Sequence, residues 1–279
     1  MGCGRIRKTV GKGLTKLLDD ELSMLKFSVI SLEKGDIFSL ETGDREYGFL
    51  LISGECKITT DSGMDNTLGP RMNPWKEKAW AALITREEKV LLKTNENTFL
   101  AVGSAPAEKK FDNVIVTPDM TGGGLRGKEN WQREVRYVVW SDNSCGNTLL
   151  IGETVAPDGN WATMPPHRHQ YYIPEEEVPY EEVYYFNFTK PQGFGLVWQF
   201  DDEGKMDQAF SIKNNDLVYM DKGYHPVVCG PGSSFYQVTM MAGPYRMSKS
   251  RVHDDYKFIL EEHGMDNPYF NQHVKKSQY

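Results

Sequence analysis

The sequence predicts an all-β fold laid out as two successive units, and three observations predict it. Apolar runs are short, turn residues separate them at close intervals, and the rhythm of the first half returns in the second. Such runs build a β-sandwich or barrel rather than alternating strands and helices. A chain of 279 residues is long enough for two domains or one large β-fold, with a substantial core in either case.

Taken in order, residues up to Leu22 form a basic lead-in that ends in LTKLLDDEL, a stretch of helical periodicity. From Leu25 the runs LKFSVISL, DIFSLETGD, YGFLLISG and CKITTDSG read as strands, punctuated at Gly43-Asp44, Ser53-Gly54 and Ser62-Gly63. ALI and KVLLK continue the series, Pro106 closes it, and Trp75 and Trp80 are expected in the core. The turn-rich stretch TPDMTGGGLRGKENWQREV follows. Its glycine run opens no helix and carries no GK[ST], so it reads as a flexible linker over 119–134 rather than a phosphate cradle.

The first unit is then 1–118 with its lead-in, and the second is 135–248. Its strands are REVRYVVWSD, NTLLIGETVAPDGNW, EEVYYFNF, GFGLVWQF, AFSIKNNDLVYM and SSFYQVTMMAGP, and a tail over 249–279 contains the helical DDYKFILEEH. GDREYGFLLISG and YEEVYYFNFTK each place a glutamate ahead of an aromatic-rich strand, which points to internal duplication.

Composition narrows the function. A net charge of -7 and no basic cluster argue against a nucleic-acid surface, and no apolar run has the length of a membrane span. Cys3, Cys56, Cys145 and Cys229 are scattered without CxxC spacing, so they read as ordinary thiols of a soluble, cytoplasmic protein. Gly2 and Cys3 do not make a myristoylation signal, because Ile6 stands where Ser or Thr is needed.

All six histidines lie in the second half, at 167, 169, 225, 253, 263 and 273. His167 and His169 are two apart, so on a strand both imidazoles share one face, the ligand spacing of an extended chain. In IPEEEVP the glutamates 175–177 read as a solvated cluster. Glu181 and Glu182 alternate in direction, and Glu182 is in phase with the apolar set Tyr184, Phe186 and Phe188, which makes it the inward carboxylate. His225, in a turn set by Gly223, would complete three imidazoles and a carboxylate around one metal ion per chain, whereas His253, His263 and His273 read as surface residues of the tail.

HRH, EEVYYF and NDLVYMDKGYHP resemble the two boxes of the cupin superfamily. The longer string ETGDRE, GSAP, LRGKEN, GNWATMPPHRH, GFG and MAGPYR, in that order over residues 25–260, resembles the 5-deoxy-glucuronate isomerase family of bacterial myo-inositol catabolism. The resemblance implies a bicupin, two tandem jelly-roll β-barrels with the first degenerate. It places the metal on His167, His169, Glu182 and His225. Asn215 stands where glycine is usual and Asp221 where proline is usual; asparagine tolerates the left-handed conformation such a turn needs.

The implied reaction is an aldose–ketose isomerisation of 5-deoxy-glucuronate to 2-deoxy-5-keto-gluconate. A divalent ion would polarise a carbonyl and the adjacent hydroxyl and stabilise an enediolate. Zinc suffices, and manganese, iron or nickel suits the same ligands. Tyr184, on the face of Glu182, is a candidate for proton transfer or a substrate hydroxyl, and Arg246 at the end of MAGPYR is the candidate for the substrate carboxylate. A related uronate ketol-isomerase or an iron-dependent cupin dioxygenase would use the same ligands, and a sugar-binding regulatory cupin is the non-enzyme alternative. The expected partner is the small sugar acid. The aromatic, histidine-free first unit is an interface for a homo-oligomer by analogy with related isomerases.

Overall fold

The computed structural model describes residues 2–140 and 146–267; Cys145 and His273 lie outside them. Among these residues strands dominate, and the helical content is the α-helix Phe258–Glu261 with three 3-10 turns. The strands form two barrels.

The first barrel is a nine-stranded sheet organised around the 16-residue strand Arg45–Thr60. Its first part pairs with Thr98–Pro106 and Trp80–Ile84, and its later part with Asp65–Arg71 and Lys89–Thr94, so one strand serves both walls. Ser53-Gly54 is therefore not a turn between strands. Register shifts flank it, Gly54 has φ 93°, and a Cβ there would come 2.3 Å from the Asn97 carbonyl oxygen. A bulge at this glycine bends the strand from one wall to the other. Phe49, Leu51, Ile58, Leu68, Leu92 and Leu100 pack the interior.

The second barrel has a seven-stranded wall and a four-stranded wall. The larger contains Arg133–Val139, Leu149–Ala156, Phe235–Ala242, Glu181–Phe188 and Asp216–Met220, and the smaller contains Trp161–Ala162, Val227–Cys229, Gly195–Phe200 and Asp207–Ile212. Two more strands join the larger wall at its edges, and both differ from the sequence expectation. Gly122–Arg126, read as part of a linker, pairs with Arg133–Val139. A Cβ on Gly123 would lie 2.0 Å from the Val135 carbonyl oxygen, so the glycine run marks close approach of two backbones. At the other edge, Gly4–Arg7 pairs with Asp216–Met220, and the Arg7 guanidinium donates to both oxygens of the buried Asp216 at 2.7 and 2.5 Å. The chain thus begins on the second barrel's sheet and crosses to the first.

The LTKLLDDEL stretch, read as helical, begins instead in the strand Gly13–Leu18, which pairs with Lys26–Leu32. A register shift between Lys16 and Leu18 lets Leu17 and Leu18 both bury, and that adjacency imitated a helical pattern. The tail expectation fits better: Asp254–Tyr256 is a 3-10 turn leading into Phe258–Glu261.

The large sheets of the two barrels pack back to back through one core containing Phe27, Leu50 and Leu83 of the first and Ile151, Tyr185 and Met240 of the second. Gly48 and Gly103 are cross-strand neighbours, as are Ile151 and Met240. A Cβ on Gly48 would stand 2.2 Å from Ile151 Cδ1, and one on Gly103 2.3 Å from Met240 Sδ. Two glycines form the depression that receives two side chains. Trp75 packs against this core, 6.0 Å from the Tyr236 ring, and Trp80 against the first barrel's interior.

Polar contacts cross the same interface reciprocally. Glu46 of the first barrel accepts from the backbone N–H groups of Asn147, Thr148 and Leu149 at 2.7, 2.6 and 2.6 Å. Glu181 of the second accepts from those of Ser23, Met24 and Leu25, each at 2.8 Å, and from the Ser23 hydroxyl. The duplicated glutamate motif is therefore physical: each barrel lends a carboxylate to the strand start of the other. Between them, buried Arg71 forks onto Glu153 at 2.6 and 3.0 Å, and the Tyr236 hydroxyl donates to the same carboxylate.

Glu46→Gln turns an amide NH2 toward backbone donors. It is expected to destabilise the protein by about 1–3 kcal/mol, visible as a lower melting temperature. An unchanged melting curve would remove this contact from the forces joining the barrels.

Candidate metal centre

His167 and His169 are buried on an extended segment that runs from strand His167–Arg168 and is braced by the tail. That strand pairs with Arg251–Val252, and His253 N–H donates to the Pro166 carbonyl at 3.0 Å. Alternation sends both imidazoles inward and Arg168 to the opposite side. There Arg168 binds the fully buried Glu177 at 3.2 Å and also pairs with Asp202, with its guanidinium over the rings of Tyr171 and Tyr224. Glu177 accepts from Gln170 and Tyr171 N–H at 2.7 and 2.9 Å as well. The glutamate cluster is thus divided: Glu175 and Glu176 are exposed, while Glu177 is the buried pin that folds the loop back.

Glu182 points into the barrel while Glu181 points out to the first barrel, as alternation along Glu181–Phe188 requires. His225 follows strand Asp216–Met220, in a turn where Gly223 has φ 71° and a Cβ would lie 2.7 Å from the Phe200 carbonyl oxygen. Asn215, at the other end of that strand, has φ 66° and occupies the left-handed region without glycine.

Three of the four side chains meet in a tight buried cluster, with the fourth, His167, beside it. One ligand atom each from His169, Glu182 and His225 lies within 4.8 Å of the others. The Glu182 Oε2 atom is 2.9 Å from His169 Nε2 and 3.4 Å from His225 Nε2. Two donors about 2.1 Å from one ion, at angles of 90–109°, stand about 3.0–3.4 Å apart, so this spacing suits a shared cation. His167 is just outside that tight group, its ring edge-on to His225 with centroids 5.0 Å apart.

The tautomers agree. Nδ1 of His167, His169 and His225 faces the carbonyl oxygens of Pro165, Tyr180 and Gly223 at 3.1, 2.8 and 3.2 Å. A carbonyl only accepts, so each Nδ1 carries the proton and each Nε2 lone pair is available to a metal. The lone pairs of His169 Nε2 and Glu182 Oε2 then face one another, an arrangement that a cation between them resolves. Burial pushes the His167 and His225 imidazoles below their ordinary range, which favours the neutral form.

Beside these residues lies a cavity whose lining includes Glu182, His167, Tyr184, Tyr180, Arg126 and Arg133. Tyr184 is buried, with its ring 5.8 Å from that of His225. Arg246 is not in this lining. Its Nε lies 3.5 Å from where a Cβ on Gly146 would be, and Glu46 Oε2 flanks the same point, at the junction of the barrels. The cavity's arginines come instead from the stretch read as a linker and the strand after it. LRGKEN contains Arg126, and a glycine run that looks flexible in sequence gives no sign that this arginine faces a cavity. His253 is not a simple surface residue either: it packs among Phe200, Tyr224 and Tyr256, 3.4 Å from Asp202.

A family model described as the KduI/IolB family matches residues 8–259. The chain belongs to the KduI/IolB family. Its curated relatives include the 5-deoxy-glucuronate isomerase of Geobacillus thermodenitrificans, 30% identical over 237 residues, covering 84% of this chain and 86% of that one. The protein of the same name from Bacillus subtilis strain 168 is 26% identical, over 87% and 90% of the two chains. Among solved structures, an IolB-like protein from Salmonella typhimurium LT2 superposes with TM-score 0.87 at 25% identity, covering 93% of this chain and 99% of that one. The oxalate decarboxylase of Lactobacillus farciminis, at 11% identity and TM-score 0.62 over 94% and 92% of the chains, shares the two-barrel fold. The KduI/IolB chain described here is accordingly a bicupin and an enzyme, an isomerase of this family.

Glu177→Ala would strand Arg168 and two backbone donors. Limited proteolysis within residues 171–176 is expected to accelerate at least about tenfold, since local opening governs cleavage. An unchanged cleavage rate would mean the loop is held elsewhere.

Proposed function

We propose that the chain is a metal-dependent aldose–ketose isomerase that converts 5-deoxy-glucuronate to 2-deoxy-5-keto-gluconate in the cytoplasm, as a step of myo-inositol catabolism. The observation that carries this reading is the buried pair of Nε2 atoms, on His169 and His225, that face Glu182 while backbone carbonyls hold the Nδ1 side of each ring, with His167 beside them, in a chain whose relatives bear the isomerase name.

The Nε2 atoms of His167, His169 and His225 and the carboxylate of Glu182 would hold one divalent ion, zinc in the simplest case. Bound there, such an ion supplies a Lewis acid that polarises neighbouring carbonyl and hydroxyl oxygens. The remaining work belongs to the chain. The reaction moves one hydrogen from the carbon bearing the hydroxyl to the adjacent aldehyde carbon and shifts a hydroxyl proton between their oxygens, with no net redox change. Tyr184, on the inward face beside His225, is placed to hold or donate a proton at those oxygens. Arg133, its guanidinium oriented by the carbonyls of Trp131 and Met164 at 3.3 and 3.0 Å, and Arg126 provide positive charge for the carboxylate at the far end of the substrate. Trp140, Tyr180 and Met241 supply apolar lining that limits water around the reacting carbons.

The protein is expected to copurify with about one divalent metal per chain and to turn over 5-deoxy-glucuronate under anaerobic conditions. His225→Ala should lose the metal, and activity should fall by roughly a thousandfold or more. Full activity in the metal-free protein would overturn the mechanism, and oxygen uptake with bound iron would favour a dioxygenase. Arg126→Ala should raise KM for the acid about tenfold with a smaller change in kcat. An unchanged KM would remove this arginine from carboxylate recognition.

A further inference from the structure

Beyond the metal centre, the inner wall of the second barrel carries polar groups that the isomerisation itself does not use. Along the paired strands Glu181–Phe188 and Phe235–Ala242, Glu182 is opposite Met241, Tyr184 opposite Thr239 and Phe186 opposite Gln237. Alternation turns this whole set inward, and Thr239 and Gln237 line the same cavity as Glu182 and Tyr184.

Gln237 is 1% exposed. Its amide nitrogen donates to Thr239 Oγ1 at 3.0 Å, while its Oε1, equally buried, has no protein group within hydrogen-bonding reach. Turning the amide over would exchange the two atoms and still leave one polar atom of Gln237 without a protein partner. Thr163 repeats the pattern on the cavity lining: its Oγ1 is buried without a partner, and its backbone is held at φ 55°, which a β-branched residue adopts only under strain. Buried polar atoms are almost always paired, and an apolar side chain at either position would fill the space without that loss. Two such atoms lining one cavity match a ligand that brings its own hydroxyl groups, since a hydroxyl both donates and accepts.

We infer that Gln237, assisted by Thr163, is a specificity-determining residue that hydrogen-bonds the non-reacting hydroxyls of the sugar acid, so that the enzyme selects polyhydroxylated uronates over more extensively deoxygenated ones. This rests on the isomerase reading above and deepens it. Gln237 takes no part in moving the hydrogen; its contribution is to substrate choice, and a site built around a substrate hydroxyl penalises an analogue that lacks it.

The test compares two substrates on the metal-loaded, full-length protein: 5-deoxy-glucuronate and an analogue lacking one further chain hydroxyl. Wild type should prefer the former in kcat/KM. Gln237→Met, close in volume but without the amide, should raise KM for 5-deoxy-glucuronate about five- to tenfold, leave kcat within about threefold, and shrink the preference by the same factor as the KM change. Metal content and melting temperature report whether the variant is folded, and Thr163→Val supplies the same ratio if Gln237→Met is not. A preference ratio that stays at the wild-type value in a folded variant overturns the inference while leaving the isomerase reading intact. A wild type that turns over neither sugar acid removes that reading and this inference together.

Discussion

Two adjacent carboxylates on one strand, pointing in opposite directions, organise this molecule. Glu181 leaves the second barrel to gather three backbone N–H groups at the start of the first, and Glu182 enters the barrel to face the imidazoles. The period-two alternation of an extended chain makes both possible and ties them together. A shift of one residue in the pairing of Glu181–Phe188 with Phe235–Ala242 would exchange their roles, burying the interface carboxylate and expelling the site carboxylate. The inter-barrel core and the site are thus set by one register.

The duplication also shows where the two barrels diverge. Glu46 lies opposite Ala105 across its strand pair as Glu181 lies opposite Ala242, and both carboxylates collect backbone N–H groups from the other barrel. The residue after Glu46 is Tyr47, where the second barrel has Glu182, and Phe49 and Leu51 follow in the interior phase. With apolar side chains filling it and no histidine in that half of the chain, the first barrel serves as a packing partner. Its large sheet supplies the glycine depression that receives Ile151 and Met240, which stiffens the outer face of the wall whose inner face carries the site.

Much of this was legible in the sequence, and the exceptions share a cause. Two-residue spacing, alternation at Glu181 and Glu182, and the glycine-set turn before His225 are local signals, and the structure brings those residues together. The misread stretches depend on partners distant in sequence. Gly122–Arg126 resembles a linker until Arg133–Val139 lies beside it, Gly13–Leu18 resembles a helix until a bulge accounts for Leu17 and Leu18, and Gly4–Arg7 has no local signal for pairing with residues 216–219. Arg246 stands in a motif but lies at the barrel junction, whereas Arg126 and Arg133 line the cavity from a stretch that resembles a linker. Glu177 looked like one charge of a solvated cluster, and its burial depends on Arg168, a residue notable in sequence only for standing between two ligands.

Three Nε2 atoms and the Glu182 carboxylate are proposed to converge on one cation. Anomalous scattering from crystals of the protein as purified tests it most directly. A single strong peak per chain is expected, about 2.0–2.3 Å from Nε2 of His167, His169 and His225 and from a Glu182 oxygen. A peak elsewhere, or a well-ordered and active protein with no peak among these residues, would contradict it.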